Sequence, residues 1–195
     1  MNFLGHAFLS FNQPEILVGN MIGDFVKGKE AIKKFPEAIQ KGIILHRNID
    51  TFTDSHPAIK RSQIFFREDY RLYSGAFVDG MMDHFLANDP KYFKNEVELF
   101  DFTQKVYQTV NQYRELLPEP FLKVIDYMSQ DNWLYHYRTL KGTNKLFDGI
   151  VRRAKYLEIN ADSAFNSLVI NYYTLNQFYY EFIDEVIQYV KNRNE

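Results

Sequence analysis

Residues 36–57, PEAIQKGIILHRNIDTFTDSHP, decide the fold class. Pro36 and Glu37 read as a helix start, because proline fits the first turn and an acid there opposes the helix dipole. Ile39, Ile43, Ile44, Ile49 and Phe52 then recur at helical intervals until His56-Pro57 closes the segment. The spacing predicts a helix from Pro36 to Asp54. On it His46, Asp50 and Asp54 follow one another by fours and share one face. Each step of four advances only ~40° around the axis, so the imidazole and the first carboxylate can meet one ion, with Asp54 a turn further on. The same residues could occupy a plain solvated face. Their apolar neighbours Ile43, Ile44, Leu45 and Ile49 favour a polar face bordering the core, where charge is costly unless paired or bound to metal.

Outward from this segment the chain keeps the helical period. A first apolar helix lies around NFLGHAFLS, and Pro14-Glu15 opens a second that runs to about Lys27. Further helices are expected over Pro57 to Glu68, Gly75 to Ala87, Glu96 to Leu116 and Pro118 to Met128. From Ala161 to Lys191 bulky residues at Phe165, Leu168, Tyr172, Leu175, Phe178, Tyr179, Phe182, Val186 and Tyr189 predict one long amphipathic helix. Nothing alternates with period two, and no repeat or Gly/Ser-rich linker divides the chain. The expectation is all-α: one helical domain over residues 1–195, built from about eight to ten helices.

Composition narrows the chemistry. With no cysteine among 195 residues, thiolate metal sites and cysteine nucleophiles are excluded, so a metal must be held by His, Asp or Glu. The aromatic share of 17%, mostly Phe and Tyr, predicts a core packed by rings. No run approaches the ~20 apolar residues that span a bilayer, so a soluble protein of the reducing cytoplasm is expected, without a membrane partner. A net charge of -2 argues against nucleic acid, although Lys27, Lys29, Lys33 and Lys34, and later Arg152, Arg153 and Lys155, form local basic clusters.

Three more places carry candidate ligands. Asp83-His84 interrupts the apolar run GMMDHFLAND; adjacent side chains point ~100° apart, so one can bind metal while the other orients a ligand, and two solvated polar residues fit equally well. Asp24, in GNMIGDFVKG, lies near a helix C-terminus, where a carboxylate needs a cation or water. His6, in an apolar first helix, reads by itself as a hydrogen-bonded core histidine. Gly19, Gly23 and Gly28 fall in or at the end of a helical pattern, which rejects a phosphate-cradling loop. Ser10, Ser55 and Ser62 lack a nucleophile-elbow context.

These segments carry a family resemblance. MNFLGH, GNMIGDFVKG, GIILHRNIDTFTDSHP, MMDHFLAND, QDNWLYHYR and GIVRR occur in the order and at the spacing that resembles the acyl carrier protein phosphodiesterases. The resemblance implies an HD-domain-like helical fold and a divalent metal, Mn2+ foremost with Mg2+ or Fe2+ as alternatives. It also implies hydrolysis of 4′-phosphopantetheine from holo acyl carrier protein. By matched motif it implies a ligand set of His6, Asp24, His46, Asp50, Asp83 and His84, with Asp24, Asp50 and Asp83 as catalytic carboxylates. Lys27, Arg47, Asp54 and Arg61 are expected to contact substrate or carrier. Asn48 stands where the pattern has a second basic residue and Lys27 where it has arginine, both outside the ligand set. Two other readings use the same residues: a phosphohydrolase for a nucleotide or another small phosphodiester, and a noncatalytic helical module that binds the carrier.

Overall fold

The computed structural model describes residues 1–193. Among them lie twelve α-helices, three short 3-10 turns and no strand. In chain order the helices are α1 (Phe3–Phe8), α2 (Pro14–Ile22), α3 (Lys29–Ile32), α4 (Glu37–Ser55), α5 (Pro57–Tyr70) and α6 (Ser74–Ala87). They continue with α7 (Glu96–Gln112), α8 (Glu119–Gln130), α9 (Trp133–His136), α10 (Leu140–Arg153), α11 (Asp162–Ile170) and α12 (Tyr172–Lys191).

The all-helical expectation holds, and the helix count exceeds eight to ten for identifiable reasons. The long C-terminal helix is two, which meet at Asn171, where the side-chain Nδ2 donates at 2.9 Å to the Ser167 carbonyl that closes the last turn of α11. Two four-residue helices, α3 and α9, are too short to leave a periodic trace. Helix α10 is a further element beyond those expected, with Leu146, Phe147, Ile150 and Val151 at helical spacing. Its N-terminus is capped by the Thr139 hydroxyl, which accepts from the Gly142 N–H at 2.9 Å. The second helix ends at Ile22 rather than Lys27, giving way to a 3-10 turn over Gly23–Phe25.

Helix α6 is the centre of the packing, in contact with α1, α5, α10 and α12. Its buried positions run almost without a break from Phe77 to Ala87, so it has no solvent face to give its polar residues. Phe77 stands 4.2 Å from Tyr70, 5.1 Å from Phe147 and 6.0 Å from Phe66, measured between ring centroids, and ties α6 to α5 and α10. Apolar side chains of the helices meet in one continuous cluster. No helix among the described residues is long and apolar enough to cross a membrane.

Two helices approach unusually closely. Where α2 crosses α4, a Cβ on Gly19 would lie 2.1 Å from the Ile39 carbonyl oxygen, and one on Gly42 would lie 2.4 Å from that of Ile16. Both contacts are with main chain, which cannot move aside, so only glycine fits at either position. This crossing sets the polar end of α2 against the histidine face of α4.

Candidate metal centre

His46 on α4 points at the end of α2. Its Nδ1 lies 2.7 Å from the main-chain oxygen of Asn20, and that contact makes Nδ1–H the donor. Its ring lies flat against Gly23, where an added Cβ would come within 2.2 Å of Cγ. Asp24 follows at once, on the 3-10 turn, with Oδ1 3.3 Å from His46 Nε2. The guanidinium of Arg47 donates to the Val26 carbonyl at 2.9 Å and fastens the far end of that turn to α4.

His6 arrives from α1 and stacks on His46, with centroids 4.0 Å apart and planes 16° from parallel. Its Nδ1 is 2.8 Å from the side-chain oxygen of Asn20. One fully buried amide therefore serves both rings, His6 through its side chain and His46 through its main chain. Asn20 is in turn fixed by donating from Nδ2 to the His6 carbonyl at 2.7 Å and to the Ser10 hydroxyl at 3.0 Å. With both Nδ1 atoms used as donors, each imidazole in its neutral form has its lone pair at Nε2, the form in which it binds metal.

Asp50, one turn along α4 from His46, stands across from the two rings. Its Oδ1 is 3.2 Å from His6 Nε2 and its Oδ2 is 3.1 Å from His46 Nε2. These are ionic approaches whose angles close no hydrogen bond, so both Nε2 atoms are buried and unpartnered. His6, His46 and Asp50 each offer a donor atom within 4.8 Å of the others. Buried orphan nitrogens facing a carboxylate are what a cation site looks like before the cation arrives, and these residues fit one. The side opens to solvent at Asp24, whose side chain is 76% exposed.

The charges respond to this geometry. Burial lowers the His46 pKa, but ionic contact with Asp24 and Asp50 outweighs it and the net value is raised to about 9. His6 moves the other way, lowered by burial and by the charge on His46. Contact with His46 holds Asp24 below the ordinary carboxylate range. Burial would raise Asp50, yet the two histidines prevail and hold it low.

The structure does not bring Asp83 and His84 into this group. Asp83 is wholly buried on α6, where Oδ1 accepts from the N–H groups of Asn2 and Gly5 at 3.2 and 3.0 Å, and Oδ2 accepts from Leu4 at 2.7 Å. It satisfies the free N–H groups at the start of α1 and so anchors the helix that carries His6. Burial pushes its pKa up to about 7, against the pull of the Met1 amino group and those three donors. His84 is also fully engaged, with Nδ1 2.7 Å from the Tyr137 carbonyl and Nε2 3.0 Å from the Tyr172 hydroxyl. A central helix with no wet face must satisfy its polar residues internally, which is why these two lie among partners rather than at the opening.

The expected substrate contacts also divide. Lys27 and Asp54 are exposed near the centre, and Asp54 has its pKa raised by burial and by Asp79. Arg61 pairs with Glu181 of α12 and lies 4.5 Å over the Phe178 ring. Asn20 was not among the expected residues. Its signal was a lone amide inside the apolar stretch LVGNMI, where a polar group must find buried partners.

Stacked imidazoles with free Nε2 atoms, faced by carboxylates and open on one side, define an all-helical protein with a His/Asp site fit for a divalent cation. The chain belongs to the acyl carrier protein phosphodiesterase family, whose model matches residues 1–186. Among similar proteins, the acyl carrier protein phosphodiesterase of Serratia proteamaculans (strain 568) is 29% identical over 193 residues, 99% of each chain. That of Escherichia coli O6:H1 is 28% identical over 188 residues, 96% of each. That of Salmonella agona (strain SL483) is 29% identical over 182 residues, 93% of each. No solved structure matches the chain.

Proposed function

We propose that this chain is a metal-dependent phosphodiesterase that removes 4′-phosphopantetheine from holo acyl carrier protein. The observation that carries the metal half of the reading is the pair of buried, unpartnered Nε2 atoms facing Asp50. Membership of the family carries the substrate half. The grouping of the fold with the HD-type phosphohydrolases, which the resemblance implies, belongs to the same reading.

In this reading His6, His46 and Asp50 hold the ion, Mn2+ foremost, and Asp24 completes the set from the solvent side. A divalent cation in such a site lowers the pKa of bound water and offsets charge on the phosphoryl oxygens. Asn20 keeps both imidazoles in the ligating tautomer. Asp24 is the carboxylate that both water and an incoming phosphodiester can reach, which suits it to take a proton from the attacking water. In the same reading Lys27, exposed three residues on, meets phosphate or carrier charge. Arg47 acts indirectly, by holding the turn that positions Asp24. Asp83 acts as the anchor of α1.

The test is incubation of metal-stripped protein with holo acyl carrier protein, with and without Mn2+, following loss of the prosthetic group by mass spectrometry. Metal-dependent loss that disappears in Asp24→Ala and His46→Ala supports the reading. Holo protein that stays intact with metal present overturns it.

A further inference from the structure

A cavity of about 970 Å³ lies between the start of α1 and the outer face of α10, with α9 forming one wall. Its lining mixes apolar Phe3, Trp133 and Leu146 with the cations Lys141, Lys145, Arg152 and Arg153 and the acids Asp131 and Asp148. Lys141, Lys145 and Arg152 fall on one stripe of α10 at intervals of four and seven, with Arg153 about 100° further round. None of these cations has an acid within ion-pair distance among the described residues, where the ion pairs formed use other cations.

None of His6, Asp24, His46 and Asp50 lines the cavity, but α1 links it to the metal centre. Phe3 lines it, and His6 lies three residues on along α1, so the two side chains are neighbours about 5–6 Å apart at Cβ. Phe3 also packs on Phe121 at 6.4 Å, and Phe121 on Phe25 at 5.1 Å, the residue that follows Asp24. A row of rings thus leads from the cavity to the open side of the histidine group.

We propose that this cavity is the subsite for the pantetheine arm of the substrate, an inference that rests on the phosphodiesterase reading. A phosphodiester held at the histidines has to lay the rest of its prosthetic group somewhere within reach. The arm is long and flexible, with a gem-dimethyl group that needs apolar wall and amides and a hydroxyl that need polar edges. A cavity of this size exceeds a simple phosphate site and falls in the range of sites that enclose a whole small molecule. Phe3 and Trp133 provide the wall, and Lys145 with Arg152 and Arg153 stand along the edge.

Gly149 offers a clean test. It lines the cavity, and a Cβ added there meets nothing nearer than Arg153 Nη1 at 3.9 Å, so a larger side chain projects into empty space. Replacing a glycine inside α10 also favours the helix. Metal-stripped full-length protein is titrated calorimetrically with pantetheine, which lacks the phosphate, and then with 4′-phosphopantetheine. Binding to the parent and a weakening of about tenfold or more in Gly149→Phe is the expected result. In Mn2+-loaded protein the same substitution raises KM for holo acyl carrier protein. Lys145→Trp, at an exposed lining position, blocks the cavity from the other side and serves if Gly149→Phe does not match the parent's circular dichroism. Parent protein that binds neither compound, or blocked variants that bind as tightly as the parent, overturns the subsite. Failure of the phosphodiesterase reading shows separately, as Mn2+-loaded parent that leaves holo protein intact while pantetheine binding is still lost on blocking the cavity.

Discussion

The His6 and His46 rings lie face to face, 4.0 Å between centroids, in a buried site that neutralises only one of them at a time. Two imidazolium ions at that separation repel strongly, so the proton stays on His46, which has two carboxylates beside it, and leaves His6. The metal-free protein therefore carries a proton where the ion must bind.

Metal uptake should displace that proton. With His46 raised to about 9, the metal-free site is protonated at pH 7.5, and binding should release about one proton. Apparent affinity should rise close to tenfold per pH unit up to about 9 and then level. Calorimetry in buffers of different ionisation enthalpy measures the release, and a pH-independent affinity would contradict the assignment.

Stability of the metal-free protein should have an optimum set by the same pairs. A histidine whose folded pKa is raised stabilises fully below its unfolded value near 6.5 and loses that contribution as pH climbs through about 9. Asp24 and Asp50 are depressed, so their contribution is present above about pH 4 and is lost as the pH falls further. Denaturation midpoints should thus decline from pH 6.5 to 9 without metal, and Mn2+ should reverse that decline by binding only the folded site.

Asn20→Ala removes the acceptor of the His6 Nδ1–H and leaves that of His46, which is main chain. Loss of a buried hydrogen-bonding group should cost about 1–3 kcal/mol by urea unfolding. Metal affinity should fall about 10–100-fold, as it does when a supporting partner of a ligand is lost. Unchanged metal affinity would mean that the tautomer of His6 is fixed elsewhere.

Gly23→Ala and Gly19→Val separate site from scaffold. The first pushes a methyl into the His46 ring, with a side chain as the obstacle, so it should displace the imidazole and weaken metal binding more than folding. The second meets main chain at the crossing of α2 and α4 and should cost about 1–3 kcal/mol or more. Equal losses of metal binding and stability in both variants would refute the distinction.

Asp83→Ala should strand three N–H groups at the start of α1 and destabilise the fold by several kcal/mol, on the order of a broken buried charged network. The folded fraction should still take up metal. Complete loss of uptake in protein that remains folded would instead make Asp83 a ligand. Because its folded pKa is raised to about 7, Asp83 favours folding less as pH rises from about 4 to 7, and Asp83→Asn should flatten that slope.

Much of this was legible in the chain. Prolines and apolar spacing placed α4, α5, α6 and α8 to within about two residues, because local turn chemistry and amphipathic period are written position by position. The approach of His46 to Asp50 was legible for the same reason: a separation of four on one helix fixes it whatever the rest of the fold does. Asp83-His84 reads as the same kind of signal, but the fold sets both among other partners, since adjacency within an apolar run does not say whether a helix has a wet face.

The sequence by itself determined that the protein is helical, free of thiol chemistry and able to chelate through a His/Asp face, because period and composition are local properties. Only the tertiary structure decided which distant residues join that face. His6 reaches Asp50 because α1 is pinned by Asp83, and Asn20 reaches both rings because Gly19 and Gly42 let two helices touch. Those contacts depend on how closely helices pack and which side of each one is buried, and no spacing within a single segment encodes either.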